Sequence, residues 1–405
     1  MTNEPWPMTR LKHVSTVQTG VTLSGEGDQG DPEWPYLRVA NVQVGYVDLR
    51  EIKTVRVPPD KVATSMLQPG DVLMTEGGDI DKLGRGALWR GEMPDMLHQN
   101  HIFAVRPDKT LDSKFLVYWL DGPVARTYFR TTAKQTTNLA GTNKWTLGNL
   151  PLPAPSLDEQ RRLVKTLDDQ TAKIDTLIEE QQHLIEILRE RRAAVLSATF
   201  NTGSSAETSK VGRLLAVRPS YGVLVPKYVD EAEGVPFVRV GDLLNLAPER
   251  PMLAIAPEQS DEYSRTKIVG GEVLLGVVGK MGQAALAPQW LAGANVARAV
   301  AVLRCKDPAI ASLLCAWLGS TSFLRQAELA TSGDSIQPTL GMKDLARFDI
   351  NLPINPNAAT NLADRLAKID TLIAETERFI ELARERRAAL IAVVVTGQVD
   401  VREMV

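Results

Sequence analysis

The heptapeptide AKIDTLI occurs twice in the chain, at Ala172–Ile178 and again at Ala367–Ile373. The segment LRERRAA (Leu188–Ala194) is echoed at the same offset by ARERRAA (Ala383–Ala389). Two matches that share one offset indicate an internal duplication, which has to be identified before any other part of the fold is assigned. The chain therefore contains two copies of a long helical segment.

The duplication extends into the segments that precede each helix. Four pairs of matching segments precede the helices: WPYLRVAN (Trp34–Asn41) with VPFVRVGD (Val235–Asp242), LQPGDVLM (Leu67–Met74) with IVGGEVLL (Ile268–Leu275), DKLGRGAL (Asp81–Leu88) with GKMGQAAL (Gly279–Leu286), and LVYWL (Leu116–Leu120) with LCAWL (Leu314–Leu318). Short β-branched runs separated by Gly and Pro predict mixed α/β units. A late amphipathic helix in each unit carries Trp119 or Trp317, and both side chains are predicted to anchor a core.

The sequence therefore predicts an α+β protein with two tandem mixed α/β domains, each followed by one long helix. The first domain is assigned to 1–155 and its helix to 156–205. The second domain is assigned to 206–355 and its helix to 356–405. Ser156-Leu157-Asp158-Glu159 fits a capping box at the start of the first helix.

Both long helices carry apolar residues at alternating steps of four and three, the pattern of a coiled coil. The predicted contact positions, called the seam below, include Leu167, Ile174, Leu177, Leu184 and Leu188 in the first helix and Leu362, Ile369, Leu372, Phe379 and Leu390 in the second. Because a lone amphipathic helix exposes its apolar stripe, the two seams are predicted to pack together, either parallel or antiparallel. An antiparallel pair would relate the copies by a pseudo-two-fold axis. About 40 residues per helix give a rod of roughly 60 Å, longer than one DNA turn of about 34–36 Å.

Composition is that of an ordinary globular protein of 405 residues with 44% apolar content. Two cysteines, Cys305 and Cys315, exclude a disulfide framework and suit a reducing compartment. The N-terminus lacks an apolar signal-peptide core, and the apolar stretch Ala388–Val395 is too short to span a bilayer, so we expect a cytoplasmic protein without a membrane partner. A net charge of −3 gives no global basic field, so contacts with nucleic acid would have to come from local groups.

The sequence contains no motif that predicts catalysis by this chain. No Asn-Pro-Pro-aromatic motif for amino-methylation occurs, and no Gly-rich loop follows a strand as a site for S-adenosylmethionine would require. GVVGKMG (Gly276–Gly282) lacks the Ser/Thr and the spacing of a phosphate-binding loop. His98 and His101 have no third ligand nearby and are interpreted as loop histidines. We therefore predict no catalytic residues and no metal site.

Polar and basic residues at equivalent places in both copies are the candidates for contacts to DNA. Two sets are predicted: the Gly-flanked turns with Lys82 and Arg85 in the first copy and Lys280 and Gln283 in the second, and the polar segments 131–144 and 331–343 with Lys134, Gln135, Asn138, Lys144, Ser335 and Gln337. Arg can pair bidentately with guanine and Gln with adenine, so Arg85 against Gln283 would give the copies different base preferences. An exposed loop with incidental charge is the alternative interpretation of the Gly-flanked turns.

Tandem α/β units that end in PLPAPSLDEQRRLV (Pro151–Val164) and enter a helix closing in RERRAA…TG resemble the specificity subunit of type I restriction-modification systems. The resemblance implies that each unit is a target recognition domain for one half of a split double-stranded DNA sequence. It also implies that the helices pair antiparallel and set the spacing, that two methyltransferase subunits dock on them, and that restriction subunits can join. S-adenosylmethionine would belong to the methyltransferase partner, ATP and Mg to the nuclease partner, and no cofactor to this chain.

One departure from the family pattern lies at the start of the second helix. The sequence there is INLPINPNAATNLADRL (Ile350–Leu366), without the Glu-Gln of the first copy. Contacts made by Glu159 or Gln160 are therefore expected to be missing from the second half. A duplicated coiled-coil scaffold that joins partner proteins without recognising DNA is the alternative function.

Overall fold

The computed structural model describes residues 6–22, 30–43, 45–80, 83–135, 140–200, 206–279, 281–331, 338–355 and 357–399. The chain divides into two compact units: unit 1 is Met1–Glu180 together with Phe379–Val405, and unit 2 is Gln181–Arg378. Within the described ranges, no helix combines the length and the apolar character that a membrane span needs.

The globular part of unit 1 consists of short strands and helices. Its strands are β1 (Met8–Arg10), β2 (Ser15–Thr19), β3 (Glu33–Leu37), β4 (Lys53–Arg56), β5 (Val72–Thr75), β6 (Gly77–Gly78), β7 (Gly86–Leu88), β8 (Leu97–His98), β9 (Ile102–Pro107), β10 (Lys134–Gln135), β11 (Ala140–Gly141) and β12 (Pro151–Pro153). Its helices are α1 (Pro59–Val62), α2 (Ser113–Asp121), α3 (Pro123–Thr132) and α4 (Lys144–Gly148). The first long helix, α5 (Leu157–Phe200), follows.

The globular part of unit 2 has a similar order of elements, with ten strands among the described residues against twelve in unit 1. Its strands are β13 (Ala206–Lys210), β14 (Ser220–Tyr221), β15 (Tyr228–Val229), β16 (Val235–Val238), β17 (Ala254–Ile255), β18 (Val273–Gly276), β19 (Ala284–Leu286), β20 (Asn295–Val296), β21 (Val300–Leu303) and β22 (Asp349–Pro353). Its helices are α6 (Val211–Leu214), α7 (Pro257–Glu262), α8 (Pro308–Trp317), α9 (Thr321–Thr331) and α10 (Met342–Arg347). The second long helix is α11 (Ala358–Val395).

The sheets of the two units have matching topology. Each unit has a central antiparallel sheet, with strand order β2-β9-β5-β7 in unit 1 and β14-β21-β18-β19 in unit 2. Each also has a second sheet that contains one parallel pair, β3 with β8 and β16 with β20. The duplication seen in the sequence is thus a duplication of the fold.

Side chains of the central strands alternate between two apolar cores. In β5, Val72 and Met74 join the core formed with the helices, while Leu73 joins the core on the opposite face. In β18, Val273 and Leu275 take the first role and Leu274 the second. Period-two alternation in a strand buried on both faces therefore fills two cores in each unit.

Segments of both long helices belong to the core of unit 1. Leu163 and Leu167 of α5 and Ile391 and Val394 of α11 lie in one apolar cluster with Trp119. Further along α5, Asp175 accepts a hydrogen bond from Nε of Arg387 at 2.9 Å. Residues later in α5 contact residues earlier in α11, so the two segments run in opposite directions within this unit.

The other segments of the same helices belong to the core of unit 2. Leu188 and Leu196 of α5 cluster there with Leu362 and Ile369 of α11 and with the buried Trp317. Two ion pairs join the segments at their surface: Arg189 with Glu377 at 3.2 Å, and Arg192 with Asp370 at 2.8 Å. The order of these pairs again makes the two segments antiparallel within the unit. Trp119 and Trp317 are both core residues, as the sequence predicts.

The contact face of the long helices differs from the predicted seam at four positions. Leu167, Leu188, Leu362 and Ile369 are buried and Ile174 and Leu390 are half-buried. The exposed members of the predicted seam are Leu177, Leu184, Leu372 and Phe379, where the prediction is wrong. In each case the next residue, an isoleucine, turns inward instead: Ile178, Ile185, Ile373 and Ile380. Two adjacent apolar residues fit the seven-residue repeat equally well, and the β-branched one occupies the core position, as coiled coils favour.

Candidate nucleic-acid interface

Each unit contains one ion pair of the same kind at the edge of its central sheet. In unit 1, Nε of Arg106 on β9 lies 2.7 Å from the fully buried carboxylate of Asp71, just before β5. In unit 2, Nε of Arg304 lies 3.2 Å from the buried carboxylate of Glu272, just before β18. These matched pairs tie equivalent strands together, so they belong to the shared scaffold and not to any site peculiar to one unit.

Half of the residues predicted to contact DNA can be placed in the structure. Arg85, Lys134, Gln135, Lys144 and Gln283 are described. The other predicted residues lie outside the described ranges: Lys82, Asn138, Lys280, Ser335 and Gln337. The placed residues do not form one cluster, because those of unit 1 lie at three separate places.

Arg85 faces the helix α2 and is partly exposed to solvent. Its Nε lies 3.6 Å from Oδ1 of Asp121 on α2, and about a third of its side chain is exposed. Gly84 beside it has φ +79°, and a Cβ there would overlap the ring of Phe129. The glycine of this turn therefore serves packing against α3, and not the close approach of a phosphate that the sequence suggested. Gln283, the equivalent residue in unit 2, is half-buried directly before β19.

Lys134 and Gln135 lie on β10, in a small sheet of order β10-β11-β6. Both side chains are exposed. Lys134 borders a groove of about 510 Å³ whose lining also includes Glu76, Gly77, His101 and Thr142. In the groove, Nδ1 of His101 lies 2.6 Å from Oε2 of Glu76. This arrangement offers a carboxylate, an imidazole, a hydroxyl and an ammonium group to a bound polar molecule.

Lys144 lies in a different groove of unit 1. It begins α4 and lines a groove of about 640 Å³ with residues of β2 and with Ser65. Trp145 follows it with 76% of its surface exposed. An exposed aromatic side chain beside a lysine is suited to contacts with a nucleic acid, since bases stack on aromatic rings and lysine pairs with phosphate.

His98 is not the loop histidine that the sequence suggested. It lies on β8 with no exposed surface, and neither ring nitrogen has a hydrogen-bond partner among the described residues. Burial lowers the pKa of His98 to about 4, so the imidazole is neutral at physiological pH. Within the described ranges, no group of three His, Cys, Asp or Glu side chains is arranged to hold a metal ion.

Glu76 and Trp145 were not predicted from the sequence, His101 was interpreted as a loop residue, and Thr142 lies in the predicted polar segment 131–144 without having been singled out. Glu76, His101 and Thr142 are far apart in the chain and meet because β5 pairs with β9 and β6 pairs with β11, with backbone hydrogen bonds joining Glu76 to both other residues. One signal was available in the sequence. Glu76 and His101 stand where the duplicated half has Val277 and Ala299.

The first half of the chain is similar to a known protein family. Residues 3–187 match the family of the type I restriction modification DNA specificity domain. The chain is also 22% identical to a protein of Methanocaldococcus jannaschii named as the MjaX specificity subunit of a type I restriction enzyme, over 98% of this chain and 95% of that protein. It is 24% identical to the type I restriction enzyme EcoBI specificity subunit of Escherichia coli, over 70% of this chain and 64% of that one.

Solved structures share the fold over nearly the whole chain. A chain from a structural study of complex assembly and conformational transition of the type I R-M system matches with a TM-score of 0.75 at 16% identity, over 98% of both chains. The HsdS subunit from Thermoanaerobacter tengcongensis matches with a TM-score of 0.54 at 16% identity, also over 98% of both chains. The matching domain covers residues 3–187, and the relatives extend the sequence similarity to type I specificity subunits over most of the chain, while the solved structures share its fold.

Proposed function

We propose that each unit of this chain recognises one half of a bipartite, asymmetric site in double-stranded DNA. The family is one of DNA-recognition subunits, and catalysis lies in their partners. The observation that carries the proposal is one scaffold built twice with different groove residues. Arg106–Asp71 and Arg304–Glu272 keep the scaffold alike, while Glu76 is replaced by Val277. Since base edges are distinguished by the side chains that meet them, such a pair of units suits two different half-sites.

The long helices are proposed to form one antiparallel coiled coil that sets the distance between the half-sites. The antiparallel contacts within each unit support this arrangement: Arg387 with Asp175 in unit 1, and Arg192 with Asp370 in unit 2. These pairs occupy equivalent positions in the duplication, as a pseudo-two-fold axis requires. The coiled coil would contact no bases itself, so the half-sites and their separation would be set by different parts of the chain.

The same helices are proposed to dock two methyltransferase subunits. Each helix exposes three large apolar side chains at equivalent positions: Leu177, Leu184 and Ile187 on α5, and Leu372, Phe379 and Leu382 on α11. Between 39% and 52% of each of these side chains is exposed. Exposed apolar surface in a regular stripe marks a protein contact, and a repeated stripe offers the same contacts twice.

The partners would supply the chemistry that this chain is proposed not to perform. Methyltransferase subunits would bring S-adenosylmethionine, and restriction subunits, where they join, would bring ATP and Mg. This chain is proposed to bind neither cofactor. Its contribution would be the choice of sequence and the positioning of the methyltransferases on it.

A domain exchange tests the proposal. Residues 1–155 are replaced by the corresponding segment of another specificity subunit, the complex is reconstituted with methyltransferase, and methylated sites are mapped by sequencing. We expect one half of the methylated sequence to change while the other half and the spacing persist. A change in both halves would contradict independent recognition. An assembled complex whose sites depend on neither unit would instead favour a scaffold that does not recognise DNA.

The stoichiometry is tested on the same material. The mass of the reconstituted complex should correspond to two methyltransferase subunits for each chain. Leu184→Ala combined with Phe379→Ala should weaken assembly without altering the fold, since both side chains are exposed. Saturation at one methyltransferase per chain would contradict two equivalent docking sites.

A further inference from the structure

The groove beside Glu76 is built on a backbone that unit 2 reproduces. In unit 1, the amide of Glu76 donates to the carbonyl of His101 at 2.9 Å, and the amide of Thr142 donates to the carbonyl of Glu76 at 2.8 Å. In unit 2, Val277 donates to Ala299 at 2.9 Å, and Leu340 donates to Val277 at 2.9 Å. Glu76, His101 and Thr142 therefore correspond to Val277, Ala299 and Leu340.

The three positions differ in chemistry although their backbones agree. Unit 1 has a carboxylate, an imidazole and a hydroxyl, whereas unit 2 has three apolar side chains, of which Val277 and Leu340 are fully buried. The scaffold thus forms with no polar group at any of the three positions. A buried polar group is costly unless it is paired, so the buried, unpaired hydroxyl of Thr142 indicates a role other than stability.

Thr142 is the clearest sign that a ligand belongs in the groove. Only 8% of the residue is exposed, and its Oγ1 is buried without a hydrogen-bond partner among the described residues. Glu76 is 38% exposed and His101 57% exposed, so the carboxylate remains open to a ligand while the imidazole holds it on one side. A polar molecule in the groove would complete the hydrogen bonds of Thr142 and of the second carboxylate oxygen.

Two paired glycines border the groove. Gly77 on β6 pairs with Gly141 on β11, and both belong to the groove lining. A Cβ built on Gly141 would come no nearer than 3.7 Å to another atom, whereas one on Gly77 would lie 3.3 Å from the carbonyl oxygen of Ala140. Glycine inside a strand is typical of sites where another molecule approaches the backbone closely. Lys134 at the rim supplies a positive charge suited to a phosphate.

We propose that this groove is a base-recognition site of unit 1 and that Glu76 accepts a hydrogen bond from the exocyclic N4 amino group of a cytosine. This inference rests on the proposed function. A carboxylate only accepts hydrogen bonds, and among the base edges of the major groove the cytosine amino group is its usual partner. His101 is a positioning residue that orients the carboxylate, and Thr142 bonds the base edge or its neighbour. Unit 2 has no counterpart, so its half-site is recognised through other residues.

Modified DNA tests the inference with the wild-type protein. Once the domain exchange has assigned a half-site to unit 1, each of its cytosines is replaced in turn by N4-methylcytosine, which removes the amino hydrogen that faces the major groove. Binding of the reconstituted complex should fall roughly tenfold or more at one cytosine and little at the others. A unit 1 half-site without any G·C pair, or one insensitive to every replacement, would overturn the inference.

Protein variants complete the cycle. Glu76→Ala removes both acceptor oxygens, so it should weaken binding to unmodified DNA and should no longer distinguish cytosine from N4-methylcytosine at that one position. Glu92→Ala removes a carboxylate from an exposed loop of unit 1 and should leave the sequence preference unchanged. A loss of affinity in Glu76→Ala that is uniform across sequences would overturn base recognition. If the wild-type complex itself has no defined sequence, the proposed function fails; if it has one that Glu76→Ala leaves intact, only this inference fails.

Discussion

The two units fasten their globular parts to the long helices in different ways. In unit 1 the fastening is polar: Asp168 of α5 accepts from the hydroxyl of Tyr118 at 2.9 Å and pairs with Lys114 at 2.5 Å, and Arg387 of α11 lies 3.7 Å from Asp121. Unit 2 has small or apolar residues at the positions of these groups on its own elements: Ala316 for Tyr118, Gly319 for Asp121 and Ala363 for Asp168.

The start of α5 adds a second polar contact to unit 1. Gln160 is buried; its amide donates to the carbonyls of Thr110 and Pro155, each at 2.9 Å, and its oxygen accepts from the amide of Asp112 at 2.8 Å. The second helix lacks this glutamine, so the expected contact is specific to the first half. The comparison teaches that both units share the helix pairing, whereas the polar attachment and the polar groove are found, among the described residues, in unit 1.

The largest expected effect is a loss of stability at the contact between the long helices, which both units share. Ile185 in unit 2 and Ile380 in unit 1 occupy equivalent positions, and each is 6% exposed. Ile185→Ala and Ile380→Ala should each lower the free energy of unfolding by about 2–5 kcal/mol through the lost contacts and the cavity left behind. The neighbours Leu184→Ala and Phe379→Ala should change it by less than about 0.5 kcal/mol. Urea denaturation gives the free energy of unfolding of all four variants. Equal losses in the isoleucine and the neighbouring variants would mean that Leu184 and Phe379 also lie in the seam, as the sequence predicts.

The next expected effect is a difference between the two units in how their stability depends on pH. His98 of unit 1 stands where unit 2 has Val296, and its pKa falls from 6.5 to about 4 on burial. The unfolded chain takes up the proton first, so stability present above pH 6.5 is lost as the pH falls toward 4, by about 3 kcal/mol in total.

His98→Val should remove this part of the acid sensitivity. Native-state hydrogen exchange on peptides of each unit, at pH 7 and at pH 4.5, gives the comparison. Peptides of unit 1 should lose less protection on acidification in the variant than in the wild-type chain, and those of unit 2 should respond equally in both. An unchanged response of unit 1 would contradict a neutral buried His98.

A smaller effect should follow from the polar attachment. Asp168→Ala installs the residue found at the equivalent position of unit 2 and removes the acceptor of Tyr118 and Lys114. Because both partners of the ion pair are more than a third exposed, the expected loss is about 1–2 kcal/mol, carried mainly by the tyrosine hydrogen bond. Asp169→Ala removes an exposed charge next to it and is the control. The part of the loss that comes from Lys114 should disappear in high salt while the part from Tyr118 persists, and a loss as small as that of Asp169→Ala would contradict a polar attachment.

The smallest effect on stability is expected at Arg85. Its ion pair with Asp121 is long and partly exposed, so Arg85→Ala should cost less than about 1 kcal/mol. If Arg85 leaves Asp121 to pair bidentately with a guanine, the same change should relax specificity at one base pair by about 1–3 kcal/mol. Mapping of methylated sites separates the two roles. Unchanged specificity together with unchanged affinity would leave Arg85 as a residue of the helix attachment only.

The sequence predicts more of the fold than of the candidate site. Matched segments predicted the duplicated units and the long helices because repetition and heptad spacing are properties of the chain itself. The phase of the seam was not predictable at Leu184–Ile185 or Phe379–Ile380, since two adjacent apolar residues satisfy the same repeat. The groove at Glu76 was missed because its members come from three distant segments, and His98 looked like a loop residue because Gln99 and Asn100 follow it.

Each long helix contributes segments to both units, and this arrangement also determines the order in which the units can finish folding. Ile391, Val394 and Val395, near the end of the chain, pack in the core of unit 1, whereas unit 2 is one uninterrupted stretch of chain. During translation the ribosome therefore has to make about 200 residues of unit 2 before unit 1 receives its last helix, a delay of roughly 10–40 s at about 5–20 residues per second. Unit 2, although second in the sequence, is the first that can finish folding. A premature stop near residue 380 would then damage the amino-terminal unit and spare the other.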